Sequence, residues 1–500
     1  MHSDRLAKRA AAWMLASAGL VLGAGGCDDD HDVHVYYVTR AFADLDYDGH
    51  AELVIGAPLH DGGGAPGAER GAVFIHFGGP AGPSASPGLT IFGSEDGARF
   101  GSALAFVGDV NRGGAPDLLV GAPFDDGDGN DVDDGSDRGR AFVFFGGRPM
   151  NAVPDVTMTG AEPGAGFGSS VAWLEDTNRD GYDDWIVGAP GDDGDGNATD
   201  DGSDRGRAFL FLGSPVPDSL PDLVLTGPEA GSAFGFAVAS AGDINAGGAP
   251  DLAVGAPLDD GDDNASDEAT DRGRVYVYYG GSALDAVPDL TFTGDEDGAR
   301  LGAAVSPVFD VNDDHVDDLL VGAPFHDASG GPAADRGEAY VFLGGATPDS
   351  VPDLTLSGGV DGGGFGAAVG RAGDVDDDHA SDFLVGAPLE DPGGLAEAGR
   401  AYLFRGGAGL DALADLVLAG GEEGARLGTV VATPGDLDGG GCDLLVSAPF
   451  DDADGNASDD GSDRGRTFVF RGGSASLDAL PDFTINGDQD GALAGSALAH

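Results

Sequence analysis

Basic residues are scarce in this 500-residue chain: Lys and Arg number 24 against 88 Asp and Glu, a formal net charge of −64. That balance argues against nucleic acid or anionic lipid as a partner, because both need cationic surfaces. A compact body so charged repels itself unless cations are bound, although acidity alone also fits a saline habitat. Cysteine is nearly absent. With Cys27 acylated, as argued below, Cys442 has no partner in the chain, so no disulfide framework is expected and Cys442 reads as a small filler. Beyond the N-terminus, no segment approaches a transmembrane span. The histidines are scattered, with no zinc spacing and none beside a distinctive Ser or Cys nucleophile. Carboxylate pairs are everywhere, so they carry no signal for glycoside hydrolysis, and Trp173 and Trp185 read as core rather than a sugar platform. The chain is not expected to be an enzyme; a carbohydrate-active one is the remote alternative.

What is present is a repeat. An acidic loop, an apolar run ending in Gly-Ala-Pro or Ser-Ala-Pro and a second apolar run ending in Gly-Gly or Gly-Ser recur with their prolines at Pro58, Pro123, Pro190, Pro257, Pro324, Pro388 and Pro449. The period of about 61 to 67 residues signals stacked or radial supersecondary units. Within the second unit the apolar pieces are Phe100 to Val107, Leu118 to Gly121, Ala141 to Phe145 and Val156 to Met158. Each is too short for an ordinary helix and rich in Val, Phe, Leu and Thr, so each reads as a strand. The fourth strand returns after Pro-Asp at Leu223 to Thr226, Leu290 to Thr293, Leu354 to Ser357 and Phe483 to Ile485. A four-stranded sheet with two apolar faces needs cover on its edges and surfaces, and radial packing supplies it. The expected fold is all-β: a seven-bladed β-propeller of four-stranded antiparallel blades over 35–500. The tail from Leu493 repeats the opening of a unit. Either that tail or Val35 to Phe42 is surplus to the blades and closes the ring by pairing with the opposite terminus; a truncated eighth repeat is the alternative.

Phe100-Gly101, Phe167-Gly168, Phe234-Gly235 and Phe365-Gly366, each followed by an acidic loop and Gly-Ala-Pro, resemble the FG-GAP repeat of the integrin α-subunit N-terminal propeller and its bacterial relatives. Leu301-Gly302 and Leu427-Gly428 are conservative variants, whereas Val35 and Tyr36 depart from the motif in the first unit.

Between the first and second strands lies an Asp-x-Asp/Asn-x-Asp loop. It reads Asp44, Asp46, Asp48 and Glu52 in the first unit and Asp176, Asn178, Asp180 and Asp184 in the third. The fifth has Asp310, Asn312, Asp314 and Asp318, and the sixth Asp374, Asp376, Asp378 and Asp382. Calcium takes six to eight oxygens at roughly 2.3 to 2.6 Å, and alternate residues of a tight loop can aim carboxylates at one point. The twelfth position of the first loop is Ile55, inside a strand, so the loop is not an EF-hand. The integrin resemblance implies a β-hairpin calcium site with ligands at positions one, three, five and nine. Three loops are weaker: Asp109, Asn111 and Asp117, and Asp243, Asn245 and Asp251, lack the fifth-position donor, and the loop of Asp436, Asp438 and Asp443 is one residue short. These are expected to bind weakly or stay empty.

Acidic inserts between the second and third strands can be read in the same code: Asp126, Asp128, Asn130, Asp134; Asp193, Asp195, Asn197, Asp201; Asp260, Asp262, Asn264, Glu268; and Asp452, Asp454, Asn456, Asp460. The alternative is a solvated low-complexity loop. Arg138, Arg205, Arg272 and Arg464, each in Asp-Arg-Gly, are expected to pair with neighbouring carboxylates.

Residues 1–26 read as a signal peptide, with Arg5, Lys8 and Arg9 before an apolar stretch. Ala24-Gly25-Gly26 before Cys27 resembles a bacterial lipobox and makes Cys27 the lipidation site, although Leu is usual where Ala24 stands. Residues 27–34 form a tether. The expectation is an exported cell-envelope lipoprotein, at the outer membrane or cell surface, touching the membrane only through its lipid, with plain secretion as the alternative. Its expected function is a calcium-binding, surface-displayed module for a protein or glycan ligand, with a structural envelope scaffold as the other reading.

Overall fold

The structure is a computed structural model and describes residues 44–79, 82–127, 137–194, 204–261, 270–282, 284–327, 334–437, 441–452, 463–473 and 477–499. The leader, Cys27, the tether, Val35 to Phe42, and the insert residues Asp128, Asn130, Asp134, Asp195, Asn197, Asp201, Asp262, Asn264, Glu268, Asp454, Asn456 and Asp460 lie outside them. Seven four-stranded antiparallel sheets form a seven-bladed β-propeller. Among the described residues the helical structure is two short 3-10 turns.

Blade three shows how sequence becomes sheet. Its strands are Ser170–Glu175, Asp184–Ala189, Arg207–Phe211 and Leu223–Thr226. Every residue of the second strand is buried, as expected of an apolar run covered on both faces by neighbouring blades. The fourth strand of blade two, Val156–Thr159, instead alternates buried and exposed, the period-two signature of an outer strand with one face in water. Trp185 is fully buried and stacks on Phe211 at 5.4 Å, while Trp173 is its cross-strand partner, so both tryptophans belong to the core. Apolar clusters run from blade to blade, so the core is spread between the facing sheets. Full burial of each Val, Leu or Phe there contributes roughly 1.5 to 3 kcal/mol.

The Phe-Gly and Gly-Ala-Pro motifs meet inside each blade. The amide of Gly101 donates to the carbonyl of Gly121 at 2.9 Å, and the same bond joins Gly168 to Gly188 and Gly235 to Gly255. Gly101 has φ +87°, a left-handed conformation that glycine adopts without strain. Phe100 packs edge-on against Phe142 of the third strand, as Phe167 does against Phe209.

The tail closes the ring. Ala497–Ala499 pairs antiparallel with Leu53–Ala57 in the order tail, first, second, third strand of blade one, with Leu498 opposite Ile55. Gly495 donates to the carbonyl of Gly56 at 2.9 Å, so Ala494-Gly495 takes the Phe-Gly place. The tail is thus blade one's innermost strand and not the start of an eighth unit. Cys442 is buried and disulfide-bonded, which corrects the expectation of a thiol without a partner.

Candidate metal centres

The hairpin loops fold around their own carboxylates. In the first loop Asp44 accepts the amides of Asp48 at 2.8 Å and Gly49 at 2.7 Å. Asp176, Asp310 and Asp374 accept the same two amides in their loops. The sixth position lies at positive φ, occupied by Gly49 and Gly181 but by His315 and His379 in the fifth and sixth loops. A non-glycine residue there costs about 1 kcal/mol or more.

The ninth-position acid is a latch. Asp318 accepts the amides of Val311 at 2.9 Å and Gly344 at 2.8 Å, joining the hairpin to the turn after the third strand. Asp117, Asp184, Asp382 and Asp443 make the same pair of bonds, and Glu52 does so with Leu45 and Gly78. Burial pushes these carboxyls up, to about 8 for Glu52, Asp117 and Asp318 and about 7 for Asp184, Asp251 and Asp382. A bound cation would hold them ionised.

In the first loop, oxygens of Asp44, Asp46, Asp48 and Glu52 all lie within 4.8 Å of one another, and in the sixth those of Asp374, Asp376 and Asp382 do so. Asp378 instead accepts the amide of Ala380 at 3.0 Å. The fifth loop brings Asp310 together with Asp313 and His315 rather than with Asp314 and Asp318, and Asn312 accepts the amide of Asp314 at 2.9 Å. In the third, Asp184 accepts bonds from the Thr177 amide and hydroxyl, and Asn178 donates to Asp180 at 3.2 Å. An all-oxygen donor set of three or four acids suits a hard divalent cation. In the fourth loop the side-chain amide of Asn245 donates to both oxygens of Asp251, at 2.9 and 2.8 Å, filling the ground a cation would need.

Two arginines face these loops and were not singled out by sequence. Arg148 of blade two pairs with Asp46 and Asp48, each at 3.0 Å, and Arg405 pairs with Asp376 at 3.3 Å. Of the Asp-Arg-Gly arginines, Arg272 and Arg464 pair with Asp297 and Asp490, whereas Arg138 and Arg205 donate to the carbonyls of Ala161 and Pro228.

Of the inserts, the described acids are the first ones: Asp126, Asp193, Asp260 and Asp452. Each donates its backbone amide to a buried glutamate: Asp126 to Glu95 at 2.8 Å, Asp193 to Glu162, Asp260 to Glu229 at 3.3 Å and Asp452 to Glu422 at 2.9 Å. Sequence reasoning passed over these glutamates. Their signal was a fixed place, five residues before the Phe or Leu of the Phe-Gly motif.

The geometry and the repeat define the class: an all-β, seven-bladed propeller of four-stranded antiparallel blades. The family model for the FG-GAP repeat matches residues 301–342, the first to third strands of blade five. The chain is 29% identical to phosphatidylinositol-glycan-specific phospholipase D of Rattus norvegicus over 405 residues, covering 73% of this chain and 45% of that protein. It is 39% identical to integrin alpha-IIb of Homo sapiens over 173 residues, 33% of this chain and 15% of that one. The chain therefore spans less than half the length of these relatives. A crystal structure of BBS1N in complex with ARL6DN, soaked with lead, aligns over 84% of this chain and 91% of that one, at 11% identity and a TM-score of 0.45.

Proposed function

We propose that this propeller is an exported, calcium-stabilised binding module that takes a protein or glycan ligand at the end of the ring carrying the acidic hairpins. The observation behind calcium is the convergence of Asp44, Asp46, Asp48 and Glu52. Binding is supported by a second feature of the same end. In an antiparallel four-stranded blade the first and third turns fall together, and the bond from Gly146 to Asp117 ties them here. Six of those third turns present an apolar side chain at one equivalent place: Val153, Leu220, Val287, Val351, Leu413 and Leu480, between 67% and 75% exposed. Each is held by an Asx turn, as where Leu220 donates its amide to Asp218 at 2.8 Å. Rigid apolar tips around acidic hairpins suit a partner with an apolar, cation-bearing surface.

Export is supported by the leader-like residues 1–26 and by relatives that include an integrin subunit. Anchoring through a lipid on Cys27 would place the protein at the outer membrane or cell surface. A thioether there needs a Cys27 sulfur not bonded to Cys442, and the mass of the N-terminal peptide reads which state holds. The test of function is a protein and glycan array probed in millimolar calcium and in EDTA. Calcium-dependent binding to one ligand class supports the reading; no calcium-dependent signal overturns it. Similarity to the phospholipase favours one second reading, hydrolysis of a phosphatidylinositol-glycan, which release of the glycan from such a substrate would establish.

A further inference from the structure

Glu162, Asp192 and Asp193 are buried to 98% or more, and their oxygens lie within 4.8 Å of one another. Glu162 sits on the connection that leads from blade two into blade three. Asp192 and Asp193 follow the Gly-Ala-Pro of blade three, and Arg207 opens its third strand. Glu162 spends one oxygen on the amide of Asp193, and Asp192 spends one on Gly194, at 2.9 Å, and on Arg207, at 3.1 Å. The other oxygens, Oε2 of Glu162 and Oδ2 of Asp192, are buried and accept no hydrogen bond. Three carboxylates and one guanidinium leave a net charge of −2 when ionised, which a single divalent cation neutralises. Leaving such a group uncompensated is costly.

The same frame recurs. Glu95 with Asp125 and Arg140, Glu229 with Asp259 and Arg274, and Glu422 with Asp451 and Arg466 repeat the glutamate, the aspartate and its ion pair, at 3.0, 3.4 and 3.1 Å. In each, one glutamate oxygen is buried with no hydrogen-bond donor. These are the four units whose sequence carries the long acidic insert. Where the set is broken, the need for positive charge is met or removed locally. In the fifth unit His326 stands in the aspartate's place, 3.0 Å from Glu296 and 3.4 Å from Glu338. In the first, His60 and Gln489 replace Asp and Glu, and in the sixth Val360 replaces the glutamate.

We propose that Glu162, Asp192 and Asp193 form a second kind of divalent-cation site, taking Ca²⁺ at the seam between blades two and three, the one of the four related sets in which the three acids converge. The seat is separate from the hairpin loops and does not depend on them. An ion there would bind the interblade connection to the root of the insert, fixing the insert's entry as well as the seam. Hard-oxygen chemistry, rather than a soft or nitrogen donor set, selects calcium over zinc.

The test counts bound calcium by native mass spectrometry and follows melting in EDTA and in calcium, for the full chain and for Glu162→Gln and Asp46→Asn. Gln keeps an acceptor for the Asp193 amide and removes one charge. The expected result is one ion fewer in Glu162→Gln, a smaller calcium-dependent rise in Tm, and a Tm in EDTA at or above that of the wild type. An unchanged ion count and calcium increment in Glu162→Gln, with an ion lost in Asp46→Asn, overturns the seam site and leaves the hairpin site standing; the converse pattern does the opposite. Crystals of the wild type soaked in Tb³⁺ give a check free of folding effects: an anomalous peak bonded to Glu162 supports the site, and peaks confined to the hairpins reject it.

Discussion

The α-carbon of Gly121, in the Gly-Ala-Pro of blade two, lies against the carbonyl oxygen of Gly168, in the Phe-Gly of blade three. Gly56 meets Gly101 in the same way, Gly188 meets Gly235 and Gly322 meets Gly366. In these pairs the Gly-Ala-Pro strand of one blade therefore touches the turn that leads into the next blade's first strand, backbone to backbone. The two motifs of the repeat are the two halves of one joint, which is why they keep a fixed spacing.

A β-carbon at Gly121 would collide with that carbonyl, and a backbone oxygen cannot swing aside as a long side chain can. Gly121→Ala should lower stability by about 2 to 4 kcal/mol through overpacking of a rigid seam. Urea denaturation in saturating calcium measures it. A loss below about 0.5 kcal/mol would show that the blades slide freely.

The fold was legible because the joint is written in residue types: seven near-identical strings with glycines at fixed places admit few architectures. The alternating acids of the first hairpin were legible for the same reason. The ninth position was read only as a ligand, because its amide partners, such as Val311 and Gly344 for Asp318, come from separate turns that meet only in the folded blade. Glu162 lay hidden because its partners sit 30 and 31 residues further on, across a blade boundary. The closing strand was left between two termini because the tail and Val35 to Phe42 each offered a strand surplus to the blades; pairing of Leu498 with Ile55 decided it.

Asp46 separates ligand from scaffold. Asp44 and Glu52 hold loop amides, whereas the Asp46 carboxylate pairs with Arg148. Asp46→Asn should leave the Tm in EDTA nearly unchanged and shrink the rise that calcium produces, because a cation bound only by the native state stabilises by linkage. Asp109→Ala, in a loop without a fifth-position donor, should shrink it less. Arg148→Ala removes a competing positive charge at an exposed pair, so calcium should bind the first loop about two- to fivefold more tightly, as isothermal titration would read. Weaker binding in that variant would mean that the arginine helps to shape the cage.

Metal-free stability should fall as pH rises. The latch carboxyls titrate at about 7 to 8 in the folded chain, as for Asp382 and Asp318, against roughly 4 when unfolded. Between those values the folded state holds protons that the unfolded state has released. Their contribution is complete below about pH 4 and is lost as pH climbs through 7 to 8, at up to roughly 1.4 kcal/mol per pH unit for each group. At Glu52 and Asp382, which converge with other loop acids, calcium needs the carboxyl ionised, so its increment should grow over the same range. Melting curves from pH 5 to 8, in EDTA and in calcium, check both trends. A metal-free Tm that rises with pH would reverse the sign and remove the case for buried, proton-holding latches.

Closure rests on three residues of tail. Leu498 is fully buried against blade one, and its backbone register with Ile55 covers the inner edge of Leu53–Ala57. Leu498→Ala removes a large buried side chain from the joint where the two ends of the ring meet, and should cost about 2 to 5 kcal/mol. Replacing Leu498 with Asp goes further, because an unpaired charge would have to enter that seam. The edge of Leu53–Ala57 would then be free to pair with another molecule, as open strand edges do. Light scattering after size exclusion should show Leu498→Asp forming dimers or larger species at concentrations where the wild type and Gly121→Ala stay monodisperse. A monomeric Leu498→Asp that melts as the wild type does would mean that the ring is held shut by something other than the tail.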